Sequence, residues 1–103
     1  MMSVQDSAPT TTWTFLTNHA HVLICIARNP DVLTREVAVQ VGITERAAQH
    51  IVADLVGEAY LTRIKVGRRN RYEICVTRPL RHPVERDHSI GELVSVLGVP
   101  PVL

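Results

Sequence analysis

The stretch "TREVAVQVGITERAAQHIVADLVGEAY", residues 34–60, constrains the fold more than any other part of the chain. Ala48, Ile51, Val52 and Leu55 fall at i, i+3, i+4 and i+7, on one side of an α-helix. Thr44 precedes that run as an N-cap, and Glu45 adds a carboxylate where the helix dipole favours one. Upstream, Val37, Ala38 and Val41 share one side of a shorter helix, with Thr34 expected to cap it and Gly42 to end it. Only "VGI" connects the two. So short a link, with a glycine in it, obliges the two helices to pack against each other at a steep angle.

The flanking segments extend the pattern. Leu61 to Val66 and Arg71 to Val76 alternate as strands around the turn "GRRN", whose Gly67 and Asn70 tolerate positive φ. Ile64, Val66, Tyr72, Ile74 and Val76 are expected to face inward. An earlier helix, capped by Thr11 or Thr12, runs to about Arg28. Its "VLICIA" is apolar on nearly every side and calls for cover on more than one face. Asn29 and Pro30 end it, and "VLT", 32–34, reads as a brief strand. Behind the hairpin "TRPLRHP" is irregular. Pro83 can open a last helix within 84–98, where Ser89 and Glu92 fit a capping box and Ile90, Leu93, Val94 and Leu97 form an apolar stripe.

The expected fold class is mainly α with a small β-hairpin. Its order is helix, short strand, helix, turn, helix, strand, strand, helix. Residues 1–10 read as a polar, mobile tail, 11–77 as the domain proper, and 78–103 as an extension that carries a helix.

A length of 103 residues suits one domain. The net charge of +1 conceals an uneven distribution. Residues 1–62 carry three arginines against six carboxylates, whereas 63–86 carry eight cations against two, a local +6. Such a field steers an anionic partner. Ten of the eleven cations are arginine, which suits bidentate contacts to phosphate and guanine. Cys25 and Cys75 stand apart in apolar surroundings and form neither a disulfide framework nor a CxxC pair, so they read as buried and reduced. "MMSVQDSAPT" lacks a secretory pattern, and no apolar run approaches the ~20 residues of a membrane span. A cytoplasmic protein with no membrane partner is expected.

Catalytic patterns are missing: there is no phosphate-binding glycine loop, nucleophile elbow or HExxH, and the chain reads as a non-enzyme without cofactor. His21 and Cys25, at i and i+4, offer two metal ligands, with His82 and His88 more distant. Zinc takes three or four protein ligands, so no metal site is assigned. Hydrogen-bonding side chains do gather where a helix would meet a groove. Thr44, Glu45, Arg46, Gln49 and His50 lie beside the apolar stripe, with Arg46 suited to guanine and Gln49 to adenine. Arg35, Arg63, Lys65, Arg68, Arg69, Asn70 and Arg71 are the candidates for the phosphate backbone.

Residues 34–74, "TREVAVQVGITERAAQHIVADLVGEAYLTRIKVGRRNRYEI", resemble the winged helix-turn-helix transcription regulators of the MarR and ArsR kind. The likeness lies in "EVA…VGIT" as helix and turn, "ERAAQHIVADL" as recognition helix, "GEAYL" leading into a strand, and the basic hairpin as wing. It implies a sequence-specific regulator, a repressor, that binds double-stranded DNA as a homodimer. The recognition helix, 44–58, would lie in the major groove and the wing, 65–71, on phosphate or in the minor groove. Trp13, Phe15 and Leu16, with Ile90, Leu93, Val94 and Leu97, exceed what one small core needs and are the candidate dimer interface. A twofold dimer would set the recognition helices about 34 Å apart. The chain lacks the cysteine-rich metal-sensing motif of many ArsR-like proteins and the length that MarR-like proteins use for a ligand pocket, so no small-molecule effector is assigned. A protein–protein interaction module, presenting the same wing to an acidic partner, is the alternative.

Overall fold

The computed structural model describes residues 13–99. In chain order they form α1 (Asn18–Arg28), α2 (Thr34–Val41), α3 (Glu45–Gly57), β1 (Leu61–Val66), β2 (Arg69–Ile74) and α4 (Ile90–Leu97). The expected mixture of helices and one antiparallel hairpin is present. The proposed caps at Thr11 and Thr12, and the tail before them, lie outside the described residues.

Local chemistry sets the helix ends. Thr17, rather than a threonine further upstream, caps α1 by accepting the Ala20 N–H at 3.3 Å. The start of α2 also moves: Leu33 occupies the cap position, Thr34 is already helical, and Glu36 reaches back to accept the Leu33 N–H at 2.9 Å. Gly42 ends α2 at φ +85°, a conformation open to glycine at no steric cost, and its N–H bonds to the Ala38 carbonyl at 2.8 Å. Two residues later Thr44 Oγ1 caps α3 through the Ala47 N–H at 3.0 Å. Ser89 and Glu92 form the expected box at α4. The helix is shorter than expected, because 82–88 close into turns with Glu85 N–H on the His82 carbonyl and His88 N–H on Glu85.

The core draws on every element. Val22, Leu23 and Ile26 of α1 are buried, with Ile24, Cys25 and Ala27 partly covered, so this helix is enclosed on more than one side. Ala48, Ile51, Val52 and Leu55 meet them from α3, and Val37 and Ala38 from α2. Tyr60, Leu61 and Tyr72 close the hairpin end. Ile90, only 6% exposed, plugs the far side from α4, which seats it in the core of the chain itself and not on the exposed surface expected of it. Complete burial of a side chain of this size contributes about 1.5–3 kcal/mol. Cys25 and Cys75 are free thiols and only partly buried, less enclosed than their apolar neighbours in sequence imply. Burial nonetheless pushes the Cys25 thiol up, with Arg28 opposing.

The hairpin departs from expectation in register. Val66 pairs with Arg69, so the turn is two residues, Gly67 at φ +63° and Arg68, and β2 begins at Arg69 instead of Arg71. Glycine in positive φ at the first central position is the requirement of a tight hairpin turn of type II′. Asn70 is therefore extended and opposite Lys65. Ile64 faces away from Tyr72, because the residue opposite Tyr72 is Arg63. Val66 and Val76, expected inside, are 55% and 50% exposed. Val76 lies beyond β2, where its carbonyl accepts the Gly91 N–H at 2.8 Å.

No strand forms at 32–34. Pro30 has no N–H, the Asp31 N–H bonds to Asn29 Oδ1, and the Val32 N–H turns back to the Asn29 carbonyl at 2.9 Å. What remains of strand pairing is one bond, from the Tyr72 N–H to the Pro30 carbonyl at 3.1 Å.

Candidate nucleic-acid interface

α3 is two-sided. With Ala48, Ile51, Val52 and Leu55 turned to the core, Glu45, Arg46, Gln49, His50 and Ala53 are left exposed on the other side. Thirteen residues span about 20 Å, enough to cross a major groove roughly 12 Å wide. Within this face the groups differ in freedom. Thr44 is held by its capping bond. Gln49 Nε2 leans toward Glu45 Oε2 at 3.5 Å. His50 Nε2 sits 3.9 Å from Asp54 Oδ2, an oxygen that already accepts from His19 Nε2 of α1 at 2.9 Å. The His19 bond, with smaller help from the neighbouring His50 and Arg81, holds the Asp54 carboxyl below the usual carboxylate range. Asp54 and His19, absent from the sequence-derived candidates, thus fix the far end of the exposed face.

Among the described residues Arg71 forms an ion pair with Asp31, and His19 and His50 approach Asp54 and His88 approaches Glu92, contacts that become ion pairs when the imidazole is protonated. Arg35, Arg46, Arg63, Lys65 and Arg68 take part in none of them, and all are exposed. The hairpin register sorts its cations by face. Arg63, Lys65 and Asn70 share the face of Tyr72, with the Arg63 guanidinium 5.9 Å from the Tyr72 ring centre. Arg69 and Arg71 lie on the opposite face, and both turn to the α1–α2 loop: Arg71 NH1 reaches Asp31 Oδ2 at 2.8 Å and Arg69 NH2 the Asp31 carbonyl at 2.8 Å. Arg68 stands alone at the tip.

A helix, a tight glycine turn, an exposed helix and a basic hairpin therefore follow one another in space as in sequence.

The arrangement is a winged helix.

No protein-family model matches the chain. No curated protein matches it either. A solved structure, the zinc-dependent MarR family transcriptional regulator AdcR in its Zn(II)-bound state, is similar over 62% of this chain and 46% of that one, with 21% identity and a TM-score of 0.46. The chain thus matches about half the length of that regulator, and the winged-helix assignment rests on this chain's own element order and register.

The candidate interface residues differ in exposure. Trp13 is 64% and Phe15 92% exposed, their rings in edge-to-face contact with centroids 4.9 Å apart. Leu16, Leu93, Val94 and Leu97 are partly buried. Phe15, Leu16 and Leu93 border an open groove of about 720 Å³ between α1, the end of α3 and the 80–85 segment. Among the described residues, no group of three or more His, Cys, Asp or Glu is placed to hold a metal ion. Nor is any described helix long and apolar enough to cross a membrane.

Proposed function

We propose that this protein is a sequence-specific DNA-binding transcriptional regulator, acting as a homodimeric repressor. The observation that carries the reading is the pairing of α3's exposed polar face, with Arg46 unengaged in its first turn, and a hairpin whose Arg63, Lys65 and Arg68 meet no carboxylate among the described residues. Base readout needs donors and acceptors on a helix that fits the major groove; Arg46, Gln49 and His50 supply them, with Glu45 as an acceptor for cytosine N4. The wing cations Arg63, Lys65 and Arg68, with Arg35 at the start of α2, contribute sequence-independent affinity by releasing counterions from phosphate. Trp13 and Phe15 are the aromatic anchors of a twofold contact.

Selection of bound sequences followed by titration over salt tests this reading. Arg46→Ala and Gln49→Ala relax base preference at a cost of roughly 1–3 kcal/mol. Arg68→Ala weakens all sequences alike and lowers the salt slope by about 0.9. Affinity that is indifferent to salt, or selection that returns no motif, refutes the proposal. Repression is read from a reporter under the selected site, whose output rises when the protein is removed.

A further inference from the structure

We infer that the Asp31 carboxylate makes Asp31 a positioning residue that withholds Arg71 from DNA and thereby decides which wing cations touch phosphate; the inference rests on the DNA-binding reading. Three contacts run from one loop to one strand. The Asp31 carboxylate takes Arg71 NH1, its carbonyl takes Arg69 NH2, and the neighbouring Pro30 carbonyl takes the Tyr72 N–H. The loop is itself braced, since Asn29 Oδ1 accepts the Asp31 N–H at 3.2 Å. Arg69 and Arg71 are two positions apart on β2 and so share a face, which lets one loop residue meet both, its carboxylate taking Arg71 and its backbone carbonyl Arg69. The residues it leaves alone, Arg63, Lys65 and the tip Arg68, lie on the other face or at the turn. Asp31 thus divides a wing that looks uniformly basic in sequence into a held set and a free set.

Both side chains of the Asp31–Arg71 pair are about half exposed, so the pair adds little to folding stability and neutralising it should leave the fold intact. A nearby phosphate would compete for Arg71 if the carboxylate were neutral. Retaining the carboxylate limits indiscriminate attraction to the backbone, the term that dominates non-specific binding. Discrimination is then left to α3.

The test is a set of salt titrations on non-specific duplex DNA with the full chain. Asp31→Asn keeps the shape and an acceptor but removes the charge. Its salt slope is expected to steepen by about 0.9, so that the Kd ratio between 200 and 50 mM salt grows about 3.5-fold over wild type. Arg71→Ala alone leaves the slope unchanged, because Arg71 is already held, and Asp31→Asn combined with Arg71→Ala returns the slope to that of wild type. A slope unchanged or shallower in Asp31→Asn overturns the inference. So does a loss of about 0.9 in Arg71→Ala alone, an arm that does not depend on how well Asp31→Asn folds. Absence of salt-dependent DNA binding in the wild type removes the DNA reading itself and is seen before any variant is made.

Discussion

The end of α3 places two small residues in each other's natural positions. Gly57 is the last helical residue, and Ala59 takes φ +65° two residues later. The hydrogen bonds there form a Schellman motif: the Tyr60 N–H bonds to the Leu55 carbonyl at 2.8 Å and the Ala59 N–H to Val56 at 3.1 Å. Ala59 therefore holds the left-handed position that glycine fills without strain, while Gly57 adds backbone entropy cost inside the helix. A Cβ built on Gly57 meets nothing within 4 Å. Gly57→Ala should thus stabilise by about 0.5–1 kcal/mol. For Ala59→Gly, relief of roughly 1–2 kcal/mol of left-handed strain is offset by the about 0.5–1 kcal/mol entropic cost of glycine, leaving about 0.5–1 kcal/mol. The double variant should gain on the order of 1–2 kcal/mol, with a coupling between the two changes because they lie in one cap motif. Urea unfolding followed by far-UV circular dichroism reads this as a higher midpoint with an unchanged slope. The melting temperature should rise by about 4–8 °C per kcal/mol. A lower midpoint in Ala59→Gly would refute the reasoning, because it would mean that the left-handed residue carries no strain.

Other expectations follow from single observations. At Gly42, φ is +85° and the space for a Cβ is open, so Gly42→Ala should destabilise by about 0.5–1 kcal/mol, left-handed strain less the entropy cost of glycine, read as a lower urea midpoint. The His88–Glu92 hydrogen bond lifts the His88 imidazole above its usual range and holds the Glu92 carboxyl below its own. The raised imidazole contributes fully below its unfolded pKa and loses its contribution as pH rises through the folded one; the lowered carboxyl contributes above its unfolded pKa and loses its contribution as pH falls. The start of α4 should therefore be firmest in mildly acidic solution, and His88→Ala should flatten that part of the thermal-melt profile against pH. Replacing Trp13 and Phe15 by alanine should convert a dimer to a monomer in light scattering while leaving monomer stability within about 0.5 kcal/mol, since both rings are exposed. A variant that stays dimeric would place the interface elsewhere.

Much of the fold was legible because it is local. The α3 stripe, the Thr44 cap, the Gly42 stop and the Ser89–Glu92 box are each complete within one or two helical turns, and each appears where its residue pattern places it. The errors also have local causes. Thr34 is a fair cap by residue type, but Leu33 takes the position because Glu36 satisfies its N–H from inside the helix. The β2 boundary slipped by two residues because Gly67 alone supplies the positive φ that closes the turn, leaving Asn70 free to extend. "VLT" has the composition of a strand, yet the Asn29 turn uses the amide that pairing would need.

On the candidate site, sequence alone determined which face of α3 is polar and that the hairpin is basic, since helical periodicity and residue charge need no partner to be read. Only the tertiary structure decided which of those charges are available. Asp31 and Arg71 are 40 positions apart, and His19 and Asp54 35, so no window of sequence joins them. Whether a cation is held or free depends on an opposite charge within a few ångströms, and that distance exists only once the loop, the hairpin and the helices have packed on one core.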